Sequence, residues 1–460
     1  MSAAPATLVS LGDVLAALSH ALDLTGGQPA GHTLRSCLIA GRLGQEVGLG
    51  AAERAALHYA VLLKDAGCSS NAARFAAIFG TDDQAVKRRL RMADWHRRLA
   101  FLAHVARAVG AGRTLGARVR ALLRLARTHD VTRPQDVTRA LLAVRCDRGA
   151  EIARSMGFPD FTADAIRALD EHWDGGGYPD GLRGDAIPPL AQIANLAQTV
   201  ETFHAAGGVD GALRAVRARR GTWFDPRLAD RVLRWRRNRH WWDALSGQGA
   251  TEAVAAYEPA DLVRRVDDAG LDPVARAFAE IIDAKSPYTF RHSANVADLA
   301  AGVAAMCGLP TGEQLRLHRA GLLHDIGKLG VSNQILDSPA RLSSDERALV
   351  ERHPLYTWQI LGRVRAFDPF AWTAATHHEK LDGTGYPWKL AGDALDLPAR
   401  ILAVADIYEA LTADRPYRAG MPHEGAMDII ARDRGPKLCA AAVDALDAWA
   451  GGEVAVARAA

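Results

Sequence analysis

The chain repeats itself. Gly385-Tyr386-Pro387 recurs as Gly177-Tyr178-Pro179, 208 residues earlier. The same offset pairs Asp382 with Asp174, Gly392-Asp393-Ala394 with Gly184-Asp185-Ala186, and Ile401 with Ile193 in two helix-like stretches. Further towards the N-terminus the offset is 260: Leu322-Leu323-His324-Asp325 faces Leu62-Leu63-Lys64-Asp65, and His292 faces His32. One insertion of 52 residues in the first copy, between Asp65 and about Arg145, converts one offset into the other. Single matches of this kind arise by accident in an Ala/Leu-rich chain. A shared order and spacing does not, and it predicts two homologous domains. We place them at 10–245 and 261–455, with a linker at 246–260 that Gly247, Gly249 and Pro259 punctuate.

The 460 residues are 49% hydrophobic and 24% charged, so each copy can bury a core of its own. Aromatic residues are only 6%, strand-like alternation is rare, and apolar residues recur at spacings of three and four, which predicts an all-α fold of two tandem helical bundles. A net charge of +3 does not by itself call for nucleic acid. Arg214–Arg239 does contain ten Arg, but no DNA-binding signature accompanies them. Trp223, Trp235, Trp241 and Trp242 are read as packing a helix onto the domain with Arg outside, so nucleic acid is not an expected partner. The five cysteines (Cys37, Cys68, Cys146, Cys307, Cys439) are scattered and never form Cys-x-x-Cys, which argues against a disulfide framework or a Cys-type zinc site. With no signal-peptide pattern and no apolar run of about 18 residues, a cytoplasmic protein without a membrane anchor is expected.

The second copy gathers polar residues among apolar helical positions. His292 precedes the stripe Val296, Leu299, Val303; His324 and Asp325 end the run Ala320-Gly-Leu-Leu. Ser343 and Glu346 form a capping-box pattern, and on the helix they start, Leu349, His353, Tyr356 and Ile360 share a face. His377 and His378 are adjacent, and Asp406 lies within Ile401–Tyr408. A lone inward His is more often a hydrogen-bonded core residue than a ligand. Five His and two Asp facing one core are costly to bury without compensation, and a metal removes that cost. Seven ligands are too many for one tetrahedral ion; they suit two ions sharing a bridging carboxylate, which can activate water and clamp a phosphoryl displacement.

These residues resemble the HD-GYP domain, a subgroup of the HD metal-dependent phosphohydrolases. The resemblance runs over about 285–420 through His324-Asp325-Ile-Gly327-Lys328, His377-His378-Glu379-Lys-Leu-Asp382-Gly383-Thr-Gly385-Tyr386-Pro387, His292, His353-Pro354, Asp406 and Arg415-Pro-Tyr-Arg418. It implies an all-α fold, two divalent ions, commonly iron or manganese, and hydrolysis of cyclic di-GMP, with linear pGpG as the expected product and GMP as the alternative end point. By the same resemblance His292, His324, Asp325, His353, His377, His378 and Asp406 are the ligands, with Asp325 bridging. Lys328 touches the scissile phosphate, Gly385-Tyr386-Pro387 shapes the substrate loop, and Arg415 and Arg418 contact phosphate or guanine. Some members carry a Glu four residues before the first His and hold a third metal. Here that residue is Tyr288, which predicts two metals; His318 and Glu379 are the nearest other candidates.

The first copy is similar but emptied. Lys64 stands in the place of His324, Arg145 of His353, Leu169 and Asp170 of His377 and His378, Gln198 of Asp406, and Cys68 of Lys328; only His32 and Asp65 remain. A structural partner for the second copy is preferred over a sensory or nucleotide-binding domain. Other readings of the whole chain are an HD phosphohydrolase acting on another cyclic dinucleotide or nucleotide, and a non-catalytic regulatory protein that binds cyclic di-GMP. A homodimer or a signalling-protein partner is compatible with either.

Overall fold

The computed structural model describes residues 8–93, 107–110, 116, 118–119, 134–247, 249–414 and 419–459. Among them the only sheet is a two-stranded antiparallel one, β1 (Val9–Ser10) against β2 (Arg265–Val266), with Val9 opposite Val266. Everything else of regular structure is helical. No described helix is long and apolar enough to cross a membrane. The chain divides into two compact units, residues 1–267 with 332–334, and residues 268–331 with 335–460.

The first unit is built on α1 (Leu11–Thr25), α2 (His32–Glu46), α3 (Ala51–Leu63), α4 (Asp83–Met92), α5 (Pro134–Ser155) and α6 (Pro189–Arg219). Ser10 caps α1 by accepting from the Asp13 N–H. Helix α2 packs against α3 and α6, burying Ile39, Ala40 and Leu43. Non-helical backbone at Gly207 and Gly208 interrupts α6. The boundary lies at Asp267 and not within 246–260. That segment forms a short helix, Ala250–Ala255, buries Val254, and sinks Glu258 against the Tyr59 hydroxyl. The Arg-rich stretch is packed by its tryptophans, with Trp223, Trp235 and Trp242 all buried.

The second unit comprises α7 (Leu271–Asp283), α8 (His292–Met306), α9 (Thr311–Leu323), α10 (Ser344–Val350), α11 (His353–Leu361), α12 (Asp368–Ala375), α13 (Leu397–Thr412) and α14 (Ala440–Ala459). Helix α8 is central, packed on α9, α13 and α14 through small or branched residues, Val296, Ala297, Ala300, Val303 and Ala304. The capping box Ser343/Glu346 forms both of its hydrogen bonds. The helix it starts does not continue to Ile360, as the apolar pattern predicts. It stops at Val350, and α11 begins anew at His353 because Pro354, with no N–H and a fixed φ, belongs in a first turn.

The repeat survives as geometry. A Cβ on Gly327 would fall 1.9 Å from the His353 carbonyl oxygen, and one on Gly67 would fall 1.9 Å from that of Arg145. The turn after the Asp therefore presses onto the same backbone position in both copies, and only glycine permits it.

Candidate metal centre

Three histidines of the second unit are oriented by helix ends. The Nδ1–H of His324, at the end of α9, donates to the Gly321 carbonyl at 2.7 Å. That of His353 donates across the break between α10 and α11 to Val350 at 2.7 Å, and that of His377, just past α12, to Ala374 at 2.7 Å. Carbonyls in a helix's last turn lack intrahelical partners, and Val350 faces Pro354 four residues on, which has no N–H to give. The acceptor three residues upstream thus holds each proton on Nδ1 and leaves the neutral ring's Nε2 lone pair for the interior. His292 is held in the same way by the Glu409 carboxylate at its Nδ1.

The free faces converge on Asp325, which is completely buried. Its Oδ2 lies 3.5 Å from His292 Nε2 and 3.4 Å from His324 Nε2, and Asp406 Oδ1 lies 3.4 and 3.7 Å from the same two nitrogens. Its Oδ1 faces another pair, His353 Nε2 at 3.3 Å and His377 Nε2 at 3.7 Å. The two last nitrogens are 3.3 Å apart, and His378 Nδ1 is 3.8 Å from Asp406 Oδ2. Lone pairs thus face lone pairs. His324 Nε2 and Asp325 Oδ1 are buried without any hydrogen-bond partner, although each is a strong acceptor. A cation bound among these atoms would satisfy them. The donor groups His292–His324–Asp406 and His353–His377–His378 could each hold a metal ion, and a third group, His324–Asp325–His377, spans the two. Five imidazoles and two carboxylates are a donor set for divalent transition metals.

Charge follows the same logic. Burial opposes a charge on His292, but Asp325, Glu409 and Asp406 outweigh it and raise its pKa to about 10; without an ion, a proton takes the cation's place. Burial lowers His353, His377 and His378, the last to about 3, so these rings are neutral at neutral pH, the form in which imidazole can bind a metal. Burial alone would raise Asp325, yet His324, Lys328 and His292 hold it well below the ordinary carboxylate range.

Lys328 pairs with Asp325 and keeps a quarter of its side chain exposed. The Gly385-Tyr386-Pro387 loop closes through the Asp382–Ala391 bridge, and Glu379 accepts from the N–H groups of Trp388 and Leu390 at 2.7 and 2.9 Å. The Tyr386 ring lies 4.7 Å from that of His378. Glu379 is thus a loop anchor, and His318 pairs with Asp298, so neither joins the cluster. Arg415 and Arg418 lie outside the described residues.

In the first unit cations fill the corresponding places. Lys64 pairs with Asp65, and Arg145 with Asp170 at 2.7 Å. Arg91, from α4 in the insertion, reaches Asp65, His32 Nε2 at 3.4 Å and Gln198 Oε1 at 3.4 Å. Those three are the counterparts of Asp325, His292 and Asp406. The guanidinium therefore lies where the second unit gathers His292, Asp325 and Asp406, and Arg145–Asp170 stands at the positions of His353 and His378. Burial would raise Asp65, but Arg91, Lys64 and Arg145 together hold it far below its ordinary value. His172 is stacked on Trp223 at 3.9 Å and takes no part. The loop scaffold persists, with Glu171 accepting from Asp180 and Leu182 at 2.7 and 2.8 Å.

Sequence reasoning missed Glu409, Asp283 and Arg91. Glu409 orients His292, and Asp283 anchors Ser293 at the start of α8 through its N–H and hydroxyl. The repeat carried a signal for both. Glu201 binds His32 and Arg35 at offset 208, and Asp23 binds Thr33 at offset 260. We expect Glu409→Gln to weaken metal affinity by about 10- to 100-fold, since the amide is a poorer acceptor for His292 Nδ1–H. Calorimetric titration with Mn2+ measures this, and unchanged affinity would show that Glu409 does not tune the centre.

A family model described as "HD domain" matches residues 121–228 and 276–438, so both copies contribute. The chain is 39% identical over 420 residues to 3'3'-cGAMP-specific phosphodiesterase 3 of Vibrio cholerae, covering 91% of this chain and 90% of that one. It is 38% identical over 180 residues to the cyclic di-GMP phosphodiesterase PA4108 of Pseudomonas aeruginosa, covering 39% of this chain and 42% of the relative. Among solved structures, the cyclic GMP-AMP phosphodiesterase V-cGAP3 of V. cholerae superposes with a TM-score of 0.66 at 34% identity, covering 97% of this chain and 98% of that one. The chain belongs to the HD domain family, in its HD-GYP branch.

Proposed function

We propose that the chain is a metal-dependent phosphodiesterase that opens a 3',3'-cyclic dinucleotide, with cGAMP as preferred substrate and Asp325 as the shared ligand of two ions, iron or manganese. The observation that carries the chemistry is the buried Asp325 carboxylate, whose two oxygens face two separate groups of imidazole nitrogens. Ions bound there would supply Lewis acidity at the phosphodiester and a lowered pKa for attacking water. The protein's own part begins with access. His378 and Lys328 are the partly exposed members of an otherwise buried cluster, so substrate enters on their side. Lys328 offers its ammonium to the scissile phosphate while Asp325 holds it in place. Tyr386, with its phenol kept protonated mainly by burial, walls the entrance beside His378 and can donate but not act as base. Water adds to phosphorus, the P–O3' bond breaks, and the product is a linear 5'-phosphorylated dinucleotide with a free 3'-hydroxyl, on which the same centre can act again to give mononucleotides.

The preference for cGAMP rests on the relative named for it that matches both units. Cyclic di-GMP is the second reading, supported by the shorter match to the P. aeruginosa enzyme. Turnover of the Mn2+- or Fe2+-loaded protein with both dinucleotides in competition tests this. A kcat/KM ratio of about tenfold or more in favour of cGAMP, or some 1.4 kcal/mol in transition-state binding, is expected. A ratio favouring cyclic di-GMP would reverse the assignment, and no cleavage of either would dismiss it.

A further inference from the structure

Among the described residues, two non-glycine residues have a left-handed backbone: Arg291, φ 59°, and Lys389, φ 57°. L-residues with a Cβ avoid this conformation because it crowds the following carbonyl. Both are cationic and exposed, and neither side chain has an ion pair or hydrogen bond among the described residues. Both adjoin the centre. Arg291 directly precedes His292 at the start of α8, and Lys389 sits in the loop closed by Asp382 and Ala391 that carries Tyr386. The repeat supplies an internal comparison. At offset 260 the first unit has Gly31, φ 78°, and at offset 208 it has Gly181, φ 73°. The same backbone is thus used twice. The emptied copy carries the residue that adopts it freely, and the copy with the metal cluster carries a cation that does not. Residues held in disfavoured conformations gather at functional sites, and although the fold calls for this backbone in both copies, no ion pair among the described residues accounts for a cation at either position.

A cyclic dinucleotide has two phosphodiesters, and Lys328 serves the one that is cut. From this arrangement we infer that Arg291 and Lys389 bind the second, uncut phosphate at the rim of the centre; this rests on the proposed substrate class. A lysine or arginine on the rim contributes to binding and capture more than to the chemical step.

The test uses the full chain with Mn2+. Arg291→Asn and Lys389→Asn remove the charge and keep a residue that tolerates the left-handed region, so both variants fold; Arg291→Gly and Lys389→Gly copy the first unit. Each single change should raise KM for the cyclic dinucleotide about fivefold and the double change about 25-fold, with kcat moving less than about twofold. The salt dependence of KM should flatten in the double variant, and thermal midpoints should hold or rise. KM within about twofold of wild type in the double variant, in protein that turns the dinucleotide over, overturns the inference alone. Wild-type protein that cleaves bis(p-nitrophenyl) phosphate but no cyclic dinucleotide overturns the substrate reading and this inference with it.

Discussion

Asp325→Ala is expected to lower turnover at least about 1,000-fold, on the order of 4 kcal/mol in the barrier, and to remove both ions together. The reason is geometric. Asp325 Oδ2 faces His292 and His324 and Oδ1 faces His353 and His377, so in the proposed centre one carboxylate would serve both ions and no neighbour could replace both oxygens. Loss of the bridge also leaves Lys328 without its buried partner. Metal analysis and turnover of the folded variant read the outcome. A variant that keeps one full equivalent of metal and measurable activity would show independent sites. Near-wild-type activity would end the two-ion account.

The matching change in the first unit, Asp65→Ala, should act on stability instead. Lys64, Arg91 and Arg145 are gathered around this buried carboxylate, and removing it leaves cations facing one another away from water. Breaking a buried pair from one side costs about 3–5 kcal/mol. The thermal transition of this unit should fall on the order of 10 °C. Adding Arg91→Met should recover part of the loss, because the stranded guanidinium is then gone. Metal content and turnover per folded chain should stay at wild-type values. Scanning calorimetry of the two variants decides this. An Asp65→Ala protein of unchanged stability that loses metal would mean that the first unit binds an ion after all.

Much of the fold and centre was legible because the chain states its plan twice. The two offsets identified His32, Asp65, Lys64 and Arg145 as counterparts of the ligand positions, and the structure sets those pairs on equivalent turns, pressed together at Gly67 and Gly327. What escaped has physical causes. Arg91 lies in the insertion, which has no counterpart to compare, and nothing local distinguishes an arginine that enters a core from one on a solvated helix face. Glu409 reads as an ordinary helical glutamate until His292 is found beside it. The break at Glu351-Arg352 was hidden because apolar spacing continues smoothly across it, although Pro354 was a stop signal in plain view. The segment 246–260 has the glycines of a linker, but Val254 and Glu258 bury themselves in the first unit.

The central claim is that one buried carboxylate of the second unit holds two ions and that the first unit holds none. Anomalous diffraction from crystals grown with Mn2+, recorded at the manganese edge, tests it most directly. Two peaks are expected, one on each side of Asp325, with none beside Asp65 where Arg91 already lies. A single peak at Asp325, or any peak at Asp65, would contradict the account.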